Sequence, residues 1–282
     1  MKEFFKYSIF NRKYSIINLI QARRNRQFLA LVLMVVFFLS ACRSLVARVS
    51  EKPEDLKATP EARELLALLQ HQNLTLRTFK GTGTITFRDN EKKLPATRAV
   101  WIGSIPGKLR IALCSLSGQP TVSFASDGQW FYLFSHADSQ FYKEPATIDT
   151  LKRFFSISIT FEDIVSILAG RIALNQCSNA VVEKNESQSG YVLTLKKRSG
   201  TICERVFFNE NKTDVNGVEV FDLNGALVYR VEFCGMQTIK NYQVPACVVF
   251  WNEEGRGFQL DIDRYWADVS ISSSAFVLAP PE

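Results

Sequence analysis

This sequence predicts a mainly β fold beyond residue 60: a strongly curved antiparallel sheet or barrel of about ten or eleven strands, with two or three helices. Three observations predict it. Apolar and polar residues alternate with period two over most of the chain. Turn signals separate the alternating runs at Asp127-Gly128, Asn216-Gly217, Asn224-Gly225 and Gly255. Helical periodicity is confined to a few short stretches, too few for βαβ units.

The elements follow in chain order. Arg23, Arg24 and Arg26 precede an apolar run from Phe28 to Leu39, which ends in Leu39-Ser40-Ala41-Cys42. This order resembles a bacterial lipoprotein signal, whose last four residues form the lipobox. The resemblance implies cleavage before Cys42, lipid attachment to its sulfur, and residues 1–41 as the signal peptide. A membrane helix would need about 20 apolar residues, and Arg43 cuts this run short. Even uncleaved, the basic flank would stay cytoplasmic and the rest would be exported. The basic segment is long for a signal, which leaves the true start open.

Residues 1–41 carry seven of the 34 Lys/Arg and one of the 28 Asp/Glu, so 27 of each remain and the +6 net charge belongs to the export segment. Nucleic acid is therefore not expected as a partner, because nothing concentrates a basic face. Lys196-Lys197-Arg198 before Ser199-Gly200 reads as a solvated hairpin turn.

Residues 42–59 read as a flexible tether, with charges, Pro53 and no apolar period. The folded domain is expected over 60–282. A helix is predicted from Pro60 to Gln72, capped by Thr59, with Ala62, Leu65, Leu66 and Leu69 on one face. Residues 145–153 are ambiguous. A second helix is predicted from Phe161 to Ala169, with Thr160 and Asp163 as a capping box and Gly170 as its stop.

The strands begin with Phe79, Gly81, Gly83, Ile85 and Phe87, which alternate with polar residues. Leu109, Ile111 and Leu113 follow in the same way. Further runs are 98–103, 121–126, 130–134, 191–196, 202–208, 218–222, 226–233, 246–251 and 257–264. The sequence holds 22 Phe. A single curved sheet must fill its concave face with side chains, cover it with helices, or leave an apolar cavity of the kind that takes hydrophobic ligands. An ordinary Phe-rich β core would give the same composition, so both remain open.

Several segments, in order, resemble the superfamily of LolA and LolB, the periplasmic lipoprotein carriers and outer-membrane lipoprotein receptors, and more closely an uncharacterised family of LolB-like lipoproteins. They are Phe79-Lys80-Gly81-Thr82-Gly83, Arg98 to Trp101, Pro106 to Ile111, Ser117-Gly118-Gln119-Pro120, Ser126 to Trp130, Phe161 to Ile172, and Phe276 to Pro281 as a closing strand. The resemblance implies a half-open curved antiparallel β-barrel of about eleven strands with two or three lid helices. It implies an apolar interior that accommodates acyl chains. It also implies a membrane-touching apolar residue on the loop after the third strand. Here that loop is Cys114 to Pro120, and Leu116 is its one large apolar residue. The receptor pattern lies closer to Pro-Leu-Gly, whereas this chain has Leu116-Ser117-Gly118. A strand-end residue packed on the core is the alternative for Leu116.

On that basis the residues expected to line the cavity are Ile85, Phe87, Val100, Ile102, Leu109, Ile111, Leu113, Val122 and Phe124. A one-residue slip would turn any such set to the other face. Arg43 and Ser44 follow Cys42, and by the family rule the absence of Asp there favours the outer membrane, facing the periplasm.

Enzyme chemistry is not expected. His71 and His136 lack zinc spacing. Ser135, His136 and Asp138 sit too close together in a turn to act as a triad. Asp261 and Asp263 read as a solvent-facing strand beside Arg264. No phosphate-binding glycine loop precedes a helix. No metal or cofactor is expected. Cys114, Cys177, Cys203, Cys234 and Cys247 form no CxxC, and the expectation is mostly unpaired cysteines packed as small apolar residues.

Two functions follow. The leading one is a membrane-anchored module, held by the Cys42 lipid, whose cavity takes a lipid or a lipoprotein acyl chain, with a periplasmic carrier protein as the partner that would deliver it. The rival is a structural or assembly accessory that uses the same fold, its interior filled, to hold a protein.

Overall fold

The alternating runs assemble into one sheet. The computed structural model describes residues 57–89, 92–186 and 189–280. The stretch expected as a signal segment, Cys42, and the expected tether up to residue 56 lie outside the described residues. The chain enters as β1 (Lys57–Ala58), α1 (Pro60–His71) and β2 (Thr78–Asp89). There follow β3 (Lys92–Lys93), β4 (Thr97–Ser104), β5 (Lys108–Cys114), β6 (Pro120–Ser126), β7 (Trp130–Ser135) and β8 (Gln140–Pro145). Two short helices come next, α2 (Ile148–Phe155) and α3 (Phe161–Leu168). The second run of strands is β9 (Asn179–Lys184), β10 (Tyr191–Lys196), β11 (Ile202–Phe208), β12 (Val215–Phe221), β13 (Leu227–Ile239), β14 (Tyr242–Trp251) and β15 (Gly257–Ala267).

The strand order is β1-β9-β10-β11-β12-β13-β14-β15-β2-β4-β5-β6-β7-β8, with β3 on β2. Every pairing is antiparallel except that of β1 with β9. The two ends of this order do not pair with each other, so the sheet is open rather than a closed barrel. It holds 15 strands, against the eleven or so read from alternation. Besides the two-residue β1 and β3, the unforeseen strands are β8 and β9. Each lies at or next to an end of the sheet and carries charge, Lys143 and Glu144 in one, Glu183 and Lys184 in the other. Charged edges blunt strand addition, and the same charges erase the period-two signal.

The helix signals map onto real caps. Thr59 Oγ1 accepts from Ala62 N at the start of α1. Thr160 and Asp163 form the capping box of α3. The ambiguous stretch resolves into the end of β8 and α2, whose cap Thr147 accepts from Thr150 N. Lys57 and Ala58, within the stretch expected as tether, pair with β9.

Two expectations are corrected here. Phe276 to Pro280 form no closing strand. A 3-10 turn over Ser273–Phe276 is followed by an extended tail whose Leu278 packs on Ala125 and Tyr132. The cysteines are mostly paired, not free. Cys177 bonds to Cys203 and Cys234 to Cys247, with Cα separations of 6.9 and 5.0 Å, while Cys114 stays free and buried. The partners are 26 and 13 residues apart in sequence. They meet because β13 pairs with β14 and because residues 171–178 lie against β11. Local spacing carries no trace of either event.

Besides the small cluster around Leu278, the core falls into two main parts. One lies between α1 and β9–β12 and includes Leu65, Leu69, Leu193, Val206 and Phe208. The other lies under α2 and α3, against β2, β4–β7 and β13–β15.

Candidate functional site

The second core region holds the site. Antiparallel pairing gives its strands a common axis, with starts and ends alternating along each end of the sheet. One end of the sheet carries the end of β2, the start of β4, the β5–β6 loop and the β14–β15 turn. We call this end the rim. Glu162 of α3 lies against Gly107 in the β4–β5 turn, at the opposite end.

The inward phase of β2 is Phe79, Gly81, Gly83, Ile85 and Phe87. Its partner β4 faces inward with Ala99, Trp101 and Gly103, not with Val100 and Ile102. This corrects the expected lining. Val100 is 42% exposed on the convex face. With Ile102 and Trp266 it lines an open trough there. The cause is a steric lock. The Trp101 ring lies over Gly81 and the Phe79 ring over Gly103, where any Cβ would collide with the ring. β4 is apolar on both faces, so its own pattern cannot choose a phase. The glycines opposite choose it.

The other expected residues keep the inward phase. Ile85, Phe87, Leu109, Ile111 and Phe124 line an apolar cavity. Leu113 and Val122 continue the same phase towards the rim and are half-buried there. The remaining walls are Ala99, Leu260, Phe250 and Phe258 from the sheet, and Leu151, Phe155, Ile159, Phe161, Ile164 and Leu168 from the lid. The apolar face of α3 and the alternation of β14 and β15 were visible in sequence. Their meeting with β2 and β5 across the concave face was not. No polar atom lines the cavity, and its volume is about 30 Å³. That is room for about two waters, against the several hundred Å³ (~300 or more) of an occupied small-molecule site.

The lid packs on the sheet through tilted aromatic pairs. Phe124 and Phe155 lie 5.0 Å apart, Phe131 and Phe154 5.1 Å, and Phe131 and Phe161 5.8 Å. The two lid helices are held differently. α3 is tied at its C-terminal end by buried or half-buried hydrogen bonds. Tyr265 donates to Leu168 O, Asn73 Nδ2 to Ala169 O, and Arg171 to the carbonyls of Asn73 and Leu76. α2 is tied at its N-terminal turn, where the buried Thr150 Oγ1 donates to Pro145 O, and its C-terminal half has only peripheral ties: Asn252 Nδ2 to Ser156 O, and an exposed Arg153–Glu144 ion pair. Of the cavity walls, Phe87, Phe155 and Phe258 are the ones that keep partial exposure, and all three lie toward the rim. This end is the mouth.

Leu116 stands on the rim, 97% exposed, on a tight turn closed by Ser115 N to Gln119 O and Gly118 N to Ser115 O. It does not pack on the core. Gly118 has a φ of 85°, a left-handed conformation that suits a residue without Cβ.

Outside the cavity, Glu204 is fully buried on β11. One carboxylate oxygen accepts from Asn175 N and Nδ2, and the other has no partner. Burial pushes its pKa up to about 7, against the Asn175 hydrogen bonds and with help from the Asp163 charge. Burial, then the Asp163 and Glu204 charges, push Tyr229 above its ordinary value. The histidines are dispersed. His71 faces Ala67 O, and His136 Nε2 faces Ser123 Oγ, away from Asp138, which accepts from Ser135. Among the described residues no group of His, Cys, Asp and Glu is arranged to hold a metal ion.

No protein-family model matches the sequence, and no curated protein matches it either. The fold does recur in solved structures. A DUF1329 family protein from Desulfovibrio piger ATCC 29098 superposes with a TM-score of 0.52 at 12% identity, covering 77% of this chain and 96% of that one. A LolA superfamily protein from Nitrosomonas europaea superposes with a TM-score of 0.50 at 14% identity, covering 77% of this chain and 97% of the other. The fold is LolA-like. At these identities the likeness is one of architecture, and it sets the open sheet with its helical lid beside the resemblance carried by the sequence segments.

Proposed function

We propose that the protein is a lipid-anchored lipoprotein of the outer membrane, facing the periplasm, whose concave cavity receives one acyl chain of a lipid or lipoprotein. The observation that carries this reading is a wholly apolar cavity with a single soft wall. An acyl chain has nothing to hydrogen-bond, so a lining without polar atoms suits it and suits few other ligands. The small cavity volume then makes α2 a lid. Its aromatic packing can be exchanged for packing against the chain, because the Phe154 and Phe155 rings can turn away while the Thr150–Pro145 hydrogen bond holds the N-terminal turn of α2 in place. Entry is at the rim, past Phe87, Phe155 and Phe258. Cys42 is the proposed attachment point, and Leu116 the proposed bilayer contact during hand-off.

The small volume also favours a second reading, a filled interior in a protein that holds a protein partner. A fluorescent fatty acid separates the two. Saturable binding, displaced by unlabelled acyl chains, supports the cavity. Absence of binding at every concentration below the micellar one supports the filled scaffold. The anchor is tested by Cys42→Ser, which should block lipidation and leave an uncleaved precursor in membrane fractions. A variant that migrates and fractionates like the wild type would remove the lipobox from the reading.

A further inference from the structure

The three most exposed large apolar side chains of the described residues are leucines: Leu116 at 97%, Leu223 at 78% and Leu94 at 53%. They come from different parts of the chain, yet all three stand on the rim. Leu116 tips the β5–β6 loop. Leu223 tips the β12–β13 turn. Leu94 follows β3 and donates its N–H to Phe87 O, beside the cavity mouth. The register leaves no alternative, because the end of β12, the end of β2 and the end of β5 lie at one end of a continuously paired sheet.

Cations accompany the leucines. Lys92 and Lys93 precede Leu94 and are exposed. Lys197 and Arg198 occupy the β10–β11 turn, where Thr201 abuts Gly225 of the Leu223 turn. Several rim acids are occupied. Asp89 and Glu254 pair with Arg256, and Asp222 folds back to accept from Asn224 N and Ala226 N. Glu253 remains as an exposed acid of the rim. Leucines at loop tips with lysine and arginine beside them match an interface of apolar tails under phosphate headgroups.

We propose that the whole rim, through Leu94, Leu116 and Leu223 with their neighbouring cations, docks on a phospholipid bilayer and holds the cavity mouth against it. The proposal rests on the cavity reading and adds the surface that brings the mouth to its source of acyl chains. One leucine tip biases orientation weakly. Tips spread over β2 to β13 fix the direction in which the mouth faces.

The test uses the full chain with single cysteines at Leu94, Leu116 or Leu223, each carrying an environment-sensitive fluorophore. Cys114 is buried, the other described cysteines are paired, and on the proposed reading the Cys42 sulfur of the lipidated chain carries the lipid, so labelling is selective. Controls are Asn211 and Asn241, in turns at the opposite end of the sheet. The vesicles contain phosphatidylethanolamine, phosphatidylglycerol and a doxyl-labelled lipid. The expected result is a blue shift and loss of emission at all three leucine positions and at neither control. Probes at Leu94 and Leu223 that remain in water overturn the proposal, whether or not Leu116 is quenched, and leave the rim to a protein partner. Fatty-acid binding is measured on the same samples. Exposed tips with intact fatty-acid binding remove the rim and keep the cavity, whereas quenched tips without fatty-acid binding remove the cavity and keep the rim.

Discussion

The two core regions of this protein use the same kind of sheet in different ways. Between α1 and β9–β12 the filling is largely aliphatic, with Leu65, Leu69, Leu193, Val206 and Val218 around Phe208. That region is stapled by Cys177–Cys203, and a Lys212–Glu61 ion pair ties α1 to the β11–β12 turn. Under α2 and α3 aliphatic chains are mixed with many aromatic rings, a cavity remains, and the C-terminal half of one covering helix is held only at its margin. Branched aliphatic chains interlock and leave little space. Tilted rings 5 to 6 Å apart can separate as units, and the attraction a ring gives up against another ring it can regain against a hydrocarbon chain. One region is built to stay shut and the other to exchange its filling.

The largest test of this contrast is a matched pair of substitutions. Phe208→Ala in the filled region should cost about 3–5 kcal/mol in urea unfolding, the range for a fully buried ring. Phe155→Ala, half-buried in the lid, should cost a fraction of that and enlarge the cavity, with tighter fatty-acid binding. Equal costs, with fatty-acid binding unchanged, would erase the distinction between the two regions.

Removing the staple comes next. Replacing Cys177 and Cys203 together by Ala opens a crosslink that closes a 26-residue separation, worth about 3.5 kcal/mol on loop-closure grounds. The loss should appear in global stability while fatty-acid binding at 25 °C is preserved. A variant that unfolds no more easily but loses binding would place the staple in the service of the cavity instead.

Glu204 gives the filled region a pH signature. Its carboxyl would ordinarily titrate at 4.5 and does so at about 7 in the fold. Between those values the unfolded chain has released the proton and the folded one retains it. Stability therefore falls as pH rises through this window and levels off above it. Glu204→Gln has no charge to bury. The gap between variant and wild type in urea midpoints should widen from pH 4.5 to 7, by up to about 3 kcal/mol. A gap that does not change with pH would show that the carboxyl ionises normally.

The smallest stability effect belongs to the rim. Leu116 touches no core residue, so Leu116→Glu should change stability by no more than about 0.5 kcal/mol and leave fatty-acid binding intact. Transfer of bound fatty acid to vesicles should slow markedly. Unchanged transfer would strip Leu116 of its role in hand-off.

Much of this could be read from the chain alone. The β class, the caps of α1 and α3 through Thr59 and Thr160, most of the strands, and five of the nine expected cavity residues rest on local chemistry: a period of two, a hydroxyl before a helix, a glycine after it. Such signals involve residues within a few positions of each other. Tertiary structure alone decided the rest. Val100 and Trp101 are neighbours, both apolar, and only Gly81 and Gly103 across the strand pair determine which of them turns inward. Cys177 and Cys203, or Cys234 and Cys247, become partners only once β11, β13 and β14 have found their places. The cavity itself belongs to no segment. It is the space left when α2 and α3 fold back over strands drawn from both halves of the chain, and only the packing of side chains far apart in sequence sets its size.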